Sequence, residues 1–210
     1  MFYLIKTPWL LKKLYPRCIW EIPCVEKNVY LSFDDGPHPE ATPFVLDELK
    51  KYNARATFFC IGKNVETNPS IYERIINEGH QTGNHSQNHL NGWKTGNKTY
   101  IDDILHAGKF INSNLYRPPY GRITRKQIDL LKKTDAGFEI IMWTLLSGDF
   151  DISVTHQVCI DRVVKHVQNG SIIVFHDSAK ALPRLQKALP EIMMKLSDKG
   201  YRFKKIPAKK

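Results

Sequence analysis

No apolar run in this 210-residue chain is long enough to cross a bilayer, no repeat or low-complexity block interrupts it, and no CxxC pair is present. Each absence removes a class of protein. The longest apolar stretch, residues 2–14, is broken by Lys6, Pro8, Lys12 and Lys13, which spoils it as a membrane span and as a signal-peptide core. The four cysteines, Cys18, Cys24, Cys60 and Cys159, lack metal-site spacing; Cys60 and Cys159 sit in apolar stretches and read as small core residues. The protein is therefore expected to be cytoplasmic. Acidic residues are few, 21 against 31 Lys and Arg, for a net charge of +10. Such a surplus favours anionic surroundings. Lys204, Lys205, Lys209 and Lys210 load one end and Lys12 and Lys13 the other, yet no nucleic-acid motif accompanies them. Nucleic acid is not an expected partner. Peripheral contact of the basic, Trp-bearing N-terminal segment with an anionic membrane is.

What is there is one ordinary core. At 42% hydrophobic residues the chain fits a single domain over 1–210, with 1–27 an extension packed on it or facing a membrane. Short β-branched or aromatic runs alternate with longer amphipathic ones, the rhythm of βα units about a parallel sheet. Strands are expected over 29–33, 56–60, 81–84, 114–117, 139–143, 171–175 and 201–205. Helices are expected near 42–52, 69–78, 98–112, 124–135, 154–168 and 183–198. Asn68 before Pro69 reads as an N-cap, Gly79 as the stop of the same helix, and Gly170 and Gly200 as C-terminal caps. Leu182, Leu185, Leu189, Ile192 and Leu196 repeat at helical spacing and are expected to face the core. Seven alternating strands favour an α/β fold built as an incomplete barrel.

The unusual polar residues fall just past the ends of these strands: Asp34 and Asp35, His85, Arg117, Asp149 and His176. In α/β barrels that rim is where active sites are built. Phe33-Asp34-Asp35-Gly36-Pro37 has the residues of a plain turn, but two adjacent carboxylates repel unless a cation lies near. His85-Ser86-Gln87-Asn88-His89 puts two imidazoles four residues apart, on one face if the segment turns helically, so both can reach one ion. Two His and one Asp leave an open position for water, as a hydrolytic zinc site requires. Arg117-Pro118-Pro119-Tyr120-Gly121 is a stiff strand exit, either a rigid surface loop or a fixed guanidinium beside a carboxylate. Gly148-Asp149-Phe150-Asp151, and the strand that delivers His176-Asp177, complete the set; each is a weak signal alone.

In this order the five pieces resemble the polysaccharide deacetylases of carbohydrate esterase family 4, which share the NodB homology domain, over about 29–201. The resemblance implies a distorted, incomplete (β/α) barrel of about seven parallel strands and hydrolysis of the acetamide of an N-acetylated glycan or glycolipid. It implies one divalent metal, zinc as a rule with cobalt or nickel able to substitute, held by Asp35, His85 and His89. Asp34 would be the general base, paired with Arg117, and the backbone N–H of Tyr120 would stabilise the oxyanion. His176 would be the general acid, tuned by Asp149, with Trp143 and Val174 walling the acetyl pocket. Two departures bear on substrate preference: Phe150 stands where many relatives carry Trp, and Leu146 where relatives often have an acid. Two other readings compete. A cyclic-amide hydrolase of the same fold is disfavoured by the intact ligand set. A catalytically weak binding module for anionic glycan or membrane lipid is motivated by the charge.

Overall fold

A computed structural model describes residues 3–208; Phe2 of the apolar run and Lys209 and Lys210 of the basic C-terminus lie outside the described residues. The chain opens with α1 (Trp9–Leu14), β1 (Cys18–Ile19), β2 (Asn28–Asp34), α2 (Ala41–Lys51), β3 (Thr57–Cys60), α3 (Gly62–Thr67), α4 (Pro69–Asn77) and β4 (Gln81–Asn84). It continues through α5 (Asn97–Ala107), β5 (Leu115–Tyr116), a 3-10 turn (Pro119–Gly121), α6 (Arg125–Lys132), β6 (Glu139–Ile141) and β7 (Leu145–Leu146). α7 (His156–His166), β8 (Ile172–His176), α8 (Leu182–Asp198) and β9 (Arg202–Phe203) complete it. The strands pair in parallel in the order β1-β6-β5-β4-β3-β2-β8-β7, with β9 on β2, and curl into the expected incomplete barrel.

All seven expected strands are present, and β1 and β7 are additional; at two residues each they are too short to show a period-2 pattern. The strand expected over 139–143 stops at Ile141, because Arg117 takes the carbonyls of Ile141 and Met142 from inside the barrel. Asp149 consequently follows β7 rather than that strand. Asn68 stands at the N-cap of α4 as expected but does not cap it; its amide donates to the carbonyls of Asn64 and Pro37 instead. Gly79 and Gly200 do end α4 and α8 with positive φ. Gly170 does not cap α7, which ends at His166 with an extended Val167 after it; it shapes the turn into β8.

Alternation along the strands divides two cores. Phe33, Phe58 and Phe175 lie side by side across β2, β3 and β8, with ring centroids 5.2 and 5.7 Å apart, and pack outward under α2, α7 and α8. The five α8 positions expected to face the core are all buried. The alternate strand positions point into the barrel, where Tyr30, Phe59, Leu115, Ile141 and Ile172 form an apolar plug. Each buried side chain of this size contributes about 1.5–3 kcal/mol to holding the strands together. Gly83 is required opposite Phe59: a Cβ there would come within 2.5 Å of the ring.

Residues 5–7 run antiparallel along the free edge of β7, with Lys6 bridged to Leu145. Leu146 N–H donates to Ile5 O and Thr7 N–H to Thr144 O, each at 2.9 Å. α1 then crosses toward β1. Leu11 and Tyr15 pack inward, while Trp9, Leu10 and Leu14 are exposed and the Lys13 ammonium lies 4.6 Å from the Trp9 ring centre. No described helix is long and apolar enough to cross a membrane.

Candidate active site

The site grows out of the barrel interior in layers. Register places Tyr30 beside Ile172, Ser32 beside Val174, and Asp34 beside His176, all on the inward face, so the lining changes from apolar plug to polar rim within two steps. Leu146 joins the middle layer beside Val174. Val174, 1% exposed, is thus the floor directly beneath His176.

At the rim, Asp35 Oδ1 lies 3.2 Å from His89 Nε2 and 3.6 Å from His85 Nε2. Ligands about 2.0–2.1 Å from a tetrahedral zinc ion stand roughly 3.3 Å apart, so this spacing fits one cation. Asp35, His85 and His89 are also the one group of three or more such side chains, among the described residues, whose ligand atoms all come together. His85 Nδ1 donates to Arg117 O at 2.8 Å, which fixes the tautomer and leaves Nε2 free to ligate. Burial, with His89 adding, holds the His85 pKa down at about 4 against the opposing charges of Asp34 and Asp35, so the ring is neutral near pH 7. Burial alone would raise the Asp35 pKa; its bond to His89 and the charges of His176, His85 and His89 hold it well below the usual carboxylate range.

The two histidines do not converge on a helix. Residues 85–89 form a loop in which Ser86 (φ 65°) and His89 (φ 55°) are left-handed, and this reversal brings the ring centroids within 5.0 Å. Asp35 (φ 78°) and Tyr120 (φ 58°) share that conformation. Four such residues around one site store roughly 1–3 kcal/mol each, held by the surrounding structure.

Arg117 is wholly buried. Nη1 donates to Asp34 Oδ1 and to Ser32 Oγ, each at 2.7 Å, Nε and Nη2 take the two carbonyls already named, and the guanidinium lies 4.0 Å from the Phe59 ring centre. Its orientation is therefore over-determined, and Asp34 is held through one oxygen.

His176 is backed by Asp149. The imidazole Nδ1–H donates to Asp149 Oδ1 at 2.8 Å and the backbone N–H to Oδ2 at 2.7 Å, while Ser147 Oγ donates to Oδ1 at 2.9 Å. Burial alone would lower the His176 pKa; the charge and hydrogen bond of Asp149, with Asp35 and Asp34 adding, outweigh it and raise the value to about 9. Phe150 packs edge-on against the imidazole, centroid to centroid 5.0 Å.

Tyr120 is 55% exposed, its ring 4.5 Å from that of His89. Trp143 packs against Gly121, where a Cβ would come 2.7 Å from the indole, and lies near Arg117. All eleven residues picked out from the sequence thus lie at or directly under one rim. Several supporting residues were not picked out. Asp103 of α5 accepts the N–H groups of Gln87 and Asn88, each at 3.1 Å, and pins the histidine loop. Asn64 donates to Asp35 O at 2.7 Å. Asp177, fully buried, accepts Gly36 N–H and the Thr42 hydroxyl; burial pushes its pKa up to about 8, the Thr42 bond opposing and Asp35 adding. Asp103 reads in sequence as an ordinary surface acid, and nothing in its spacing marks it; Asp177 enters the sequence reading only as the residue after His176, with no role of its own.

So arranged, the rim has the equipment of a hydrolase: groups to hold a cation, to take up a proton and to give one. The polysaccharide deacetylase family model matches residues 23–138. A peptidoglycan-N-acetylglucosamine deacetylase of Bacillus cereus is 36% identical over 204 residues, covering 92% of this chain and 94% of the relative. The crystal structure of the Bc1960 peptidoglycan N-acetylglucosamine deacetylase superposes with a TM-score of 0.86 at 34% identity, over 96% of this chain and 95% of that one. BA3943 of Bacillus anthracis, described as a pseudoenzyme, aligns with a TM-score of 0.79 at 25% identity, over 93% of this chain and 69% of that one. The chain belongs to the polysaccharide deacetylase family. It is an enzyme acting on the N-acetyl amide bond of carbohydrate.

Proposed function

We propose that the protein removes the acetyl group from N-acetylglucosamine units of a glycan or glycolipid, with a divalent cation, zinc in the first place, held by Asp35, His85 and His89. The observation that carries this is the spacing of Asp35 Oδ1 from the two Nε2 atoms, beside a second carboxylate fixed by a buried arginine. A bound divalent cation polarises the amide carbonyl and acidifies water near neutral pH.

The remaining steps fall to the chain. Arg117 occupies Asp34 Oδ1, so Oδ2 is the oxygen left to take the proton of the attacking water. The backbone N–H of Tyr120, held by its left-handed φ beside His89, donates to the developing oxyanion. His176, protonated through pH 7 by Asp149, gives its proton to the departing amine. Trp143, Phe150 and Val174 bound the acetyl group from the side and below. The pseudoenzyme among the similar structures makes a binding module the reading to exclude, and a mere binder has no use for an Asp149-backed His176.

The test is acetate release from N-acetylglucosamine oligomers and glycolipids by metal-stripped and zinc-reloaded protein. Release that returns with zinc supports the proposal; silence with one equivalent of zinc bound would refute it. The exposed Trp9, Leu10 and Leu14 beside Lys13 favour a substrate presented at an anionic lipid surface, where Trp and Lys side chains partition. Sedimentation with phosphatidylserine vesicles, lost in Trp9→Ser/Leu10→Ser, checks that partner; equal sedimentation of the variant excludes this face.

A further inference from the structure

The N-terminal segment reaches further into the site than its sequence position suggests. Pairing of residues 5–7 with the β7 edge lays Tyr3 against the loop that carries Asp149 and Phe150. The Tyr3 ring stands 5.0 Å from the Phe150 ring, tilted by 58°, and the Phe150 ring stands 5.0 Å from His176, at 65°. Tyr3 Oη donates to Asp151 Oδ2 at 2.8 Å and accepts from Arg162 Nη1 of α7 at 3.0 Å. Beneath this cluster is Gly148, φ 85°, where a Cβ would come 2.2 Å from Arg162 Nη1 and 3.1 Å from Tyr3 Oη. The loop is thus gripped from outside at residues 148, 150 and 151. Between them sits Asp149, whose two carboxylate oxygens take the ring and backbone N–H groups of His176.

Phe150 has no polar atom with which to hold its own place. Its edge contact with His176 is directional only while something fills the other side of the ring, and Tyr3 fills it. We infer that Tyr3 is a positioning residue for the reaction: through Phe150 and the 148–151 loop, it fixes the angle from which His176 meets the leaving amine. This rests on the reading of His176 as the general acid. Tyr3 belongs to none of the three buried hydrophobic clusters. Its loss therefore bears on the site and leaves the core intact.

The experiment compares wild type, Tyr3→Ala and Tyr3→Phe as full, zinc-loaded chains. It measures kcat and KM on an N-acetylglucosamine oligomer, zinc content, and the NMR shifts of the carbon-bound ring protons of His176, which feel the Phe150 ring current. Tyr3→Ala is expected to lower kcat about five- to tenfold with KM within about twofold, since a misaligned proton donor acts on the transition state alone. Zinc stays at one equivalent and the His176 resonances move. Tyr3→Phe, which keeps the ring and loses the two hydrogen bonds, regains most of the kcat and most of the wild-type shifts. Wild-type kcat with unmoved His176 resonances in Tyr3→Ala overturns the inference. So does a fall in kcat with unmoved resonances, because the effect then travels another route. If the wild-type enzyme is silent on every substrate, the proposed function fails and the resonances alone decide about Tyr3: displaced supports the positioning role, unmoved overturns it. Should Tyr3→Ala not fold, Tyr3→Leu removes ring and hydroxyl with bulk retained and carries the same expectations.

Discussion

Arg117 offers the sharpest test of how the rim is held together. Its charge is wholly buried, matched by Asp34 at 2.7 Å, and its other donors serve Ser32 and the carbonyls of Ile141 and Met142. Arg117→Met keeps an apolar stem in contact with Phe59 but leaves Asp34 without its buried partner. Breaking a buried pair from one side costs about 3–5 kcal/mol. Each carbonyl stripped of its donor adds about 1–3 kcal/mol unless water enters. Against a typical total of about 5–15 kcal/mol, such a variant stands near the edge of folding. At roughly 2–4 °C per kcal/mol for a chain of this length, the Asp34 term alone lowers Tm by about 6–20 °C. The assay is urea unfolding at pH 7 of Arg117→Met, Asp34→Asn and the double variant. The double variant removes both charges and is expected to be more stable than Arg117→Met, with a coupling of about 2 kcal/mol or more between the sites. A single variant within about 1 kcal/mol of wild type, or a double variant with no coupling, would falsify the reasoning.

Asp149→Asn removes the largest influence that raises the His176 pKa above what burial alone would give, so the alkaline limb of kcat/KM moves to lower pH. The same shift governs stability. A folded-state pKa of about 9 stabilises the protein fully below the ordinary histidine value of about 6.5, and that gain is lost as pH rises through 9, so wild type weakens relative to Asp149→Asn across this window. An unmoved limb removes Asp149 from the chemistry. His85→Ala is expected to lose bound zinc by elemental analysis, whereas Asp34→Asn keeps zinc and loses turnover; metal retained in His85→Ala removes it from the ligand set. Asp103→Ala frees the loop between the two histidines and is expected to weaken zinc about 10–100-fold in a chelator competition, the range for outer-shell partners. Unchanged affinity leaves Asp103 a purely structural helix residue.

Much of the site was legible because its residues are costly anywhere else. Paired aspartates at a strand end, histidines four apart and an arginine before two prolines each invite a chemical explanation, and their common position past strand ends joins them. The path of the backbone between them was not legible. Ser86 and His89 adopt a conformation that glycine or asparagine would have announced, and neither residue type does, so a helical turn was the natural expectation and a reversed loop the outcome. β1 and β7 carry two residues each and leave no periodic trace. Asp103 and Asp177 became functional supports only through tertiary burial, and Tyr3 meets Phe150 across most of the length of the chain. Where residue chemistry was distinctive the sequence spoke; where only packing made it so, the folded chain was needed.

The order of the strands also has a meaning in time. β2, the strand that carries the two aspartates, pairs with β8, and Ser32 bonds Ile173 across 141 positions of chain. Its other end pairs with β9, the last described element. A ribosome delivers the N-terminal half tens of residues before either partner exists, so β2 can pair with β3 early while its opposite edge stays unpaired. Contacts of such long sequence separation also make for slow closure once the partners arrive. The aspartates therefore enter the world without their histidine acid. Newly made chains are expected to depend on chaperone protection until β8 emerges, and the catalytic rim assembles only after translation is nearly complete.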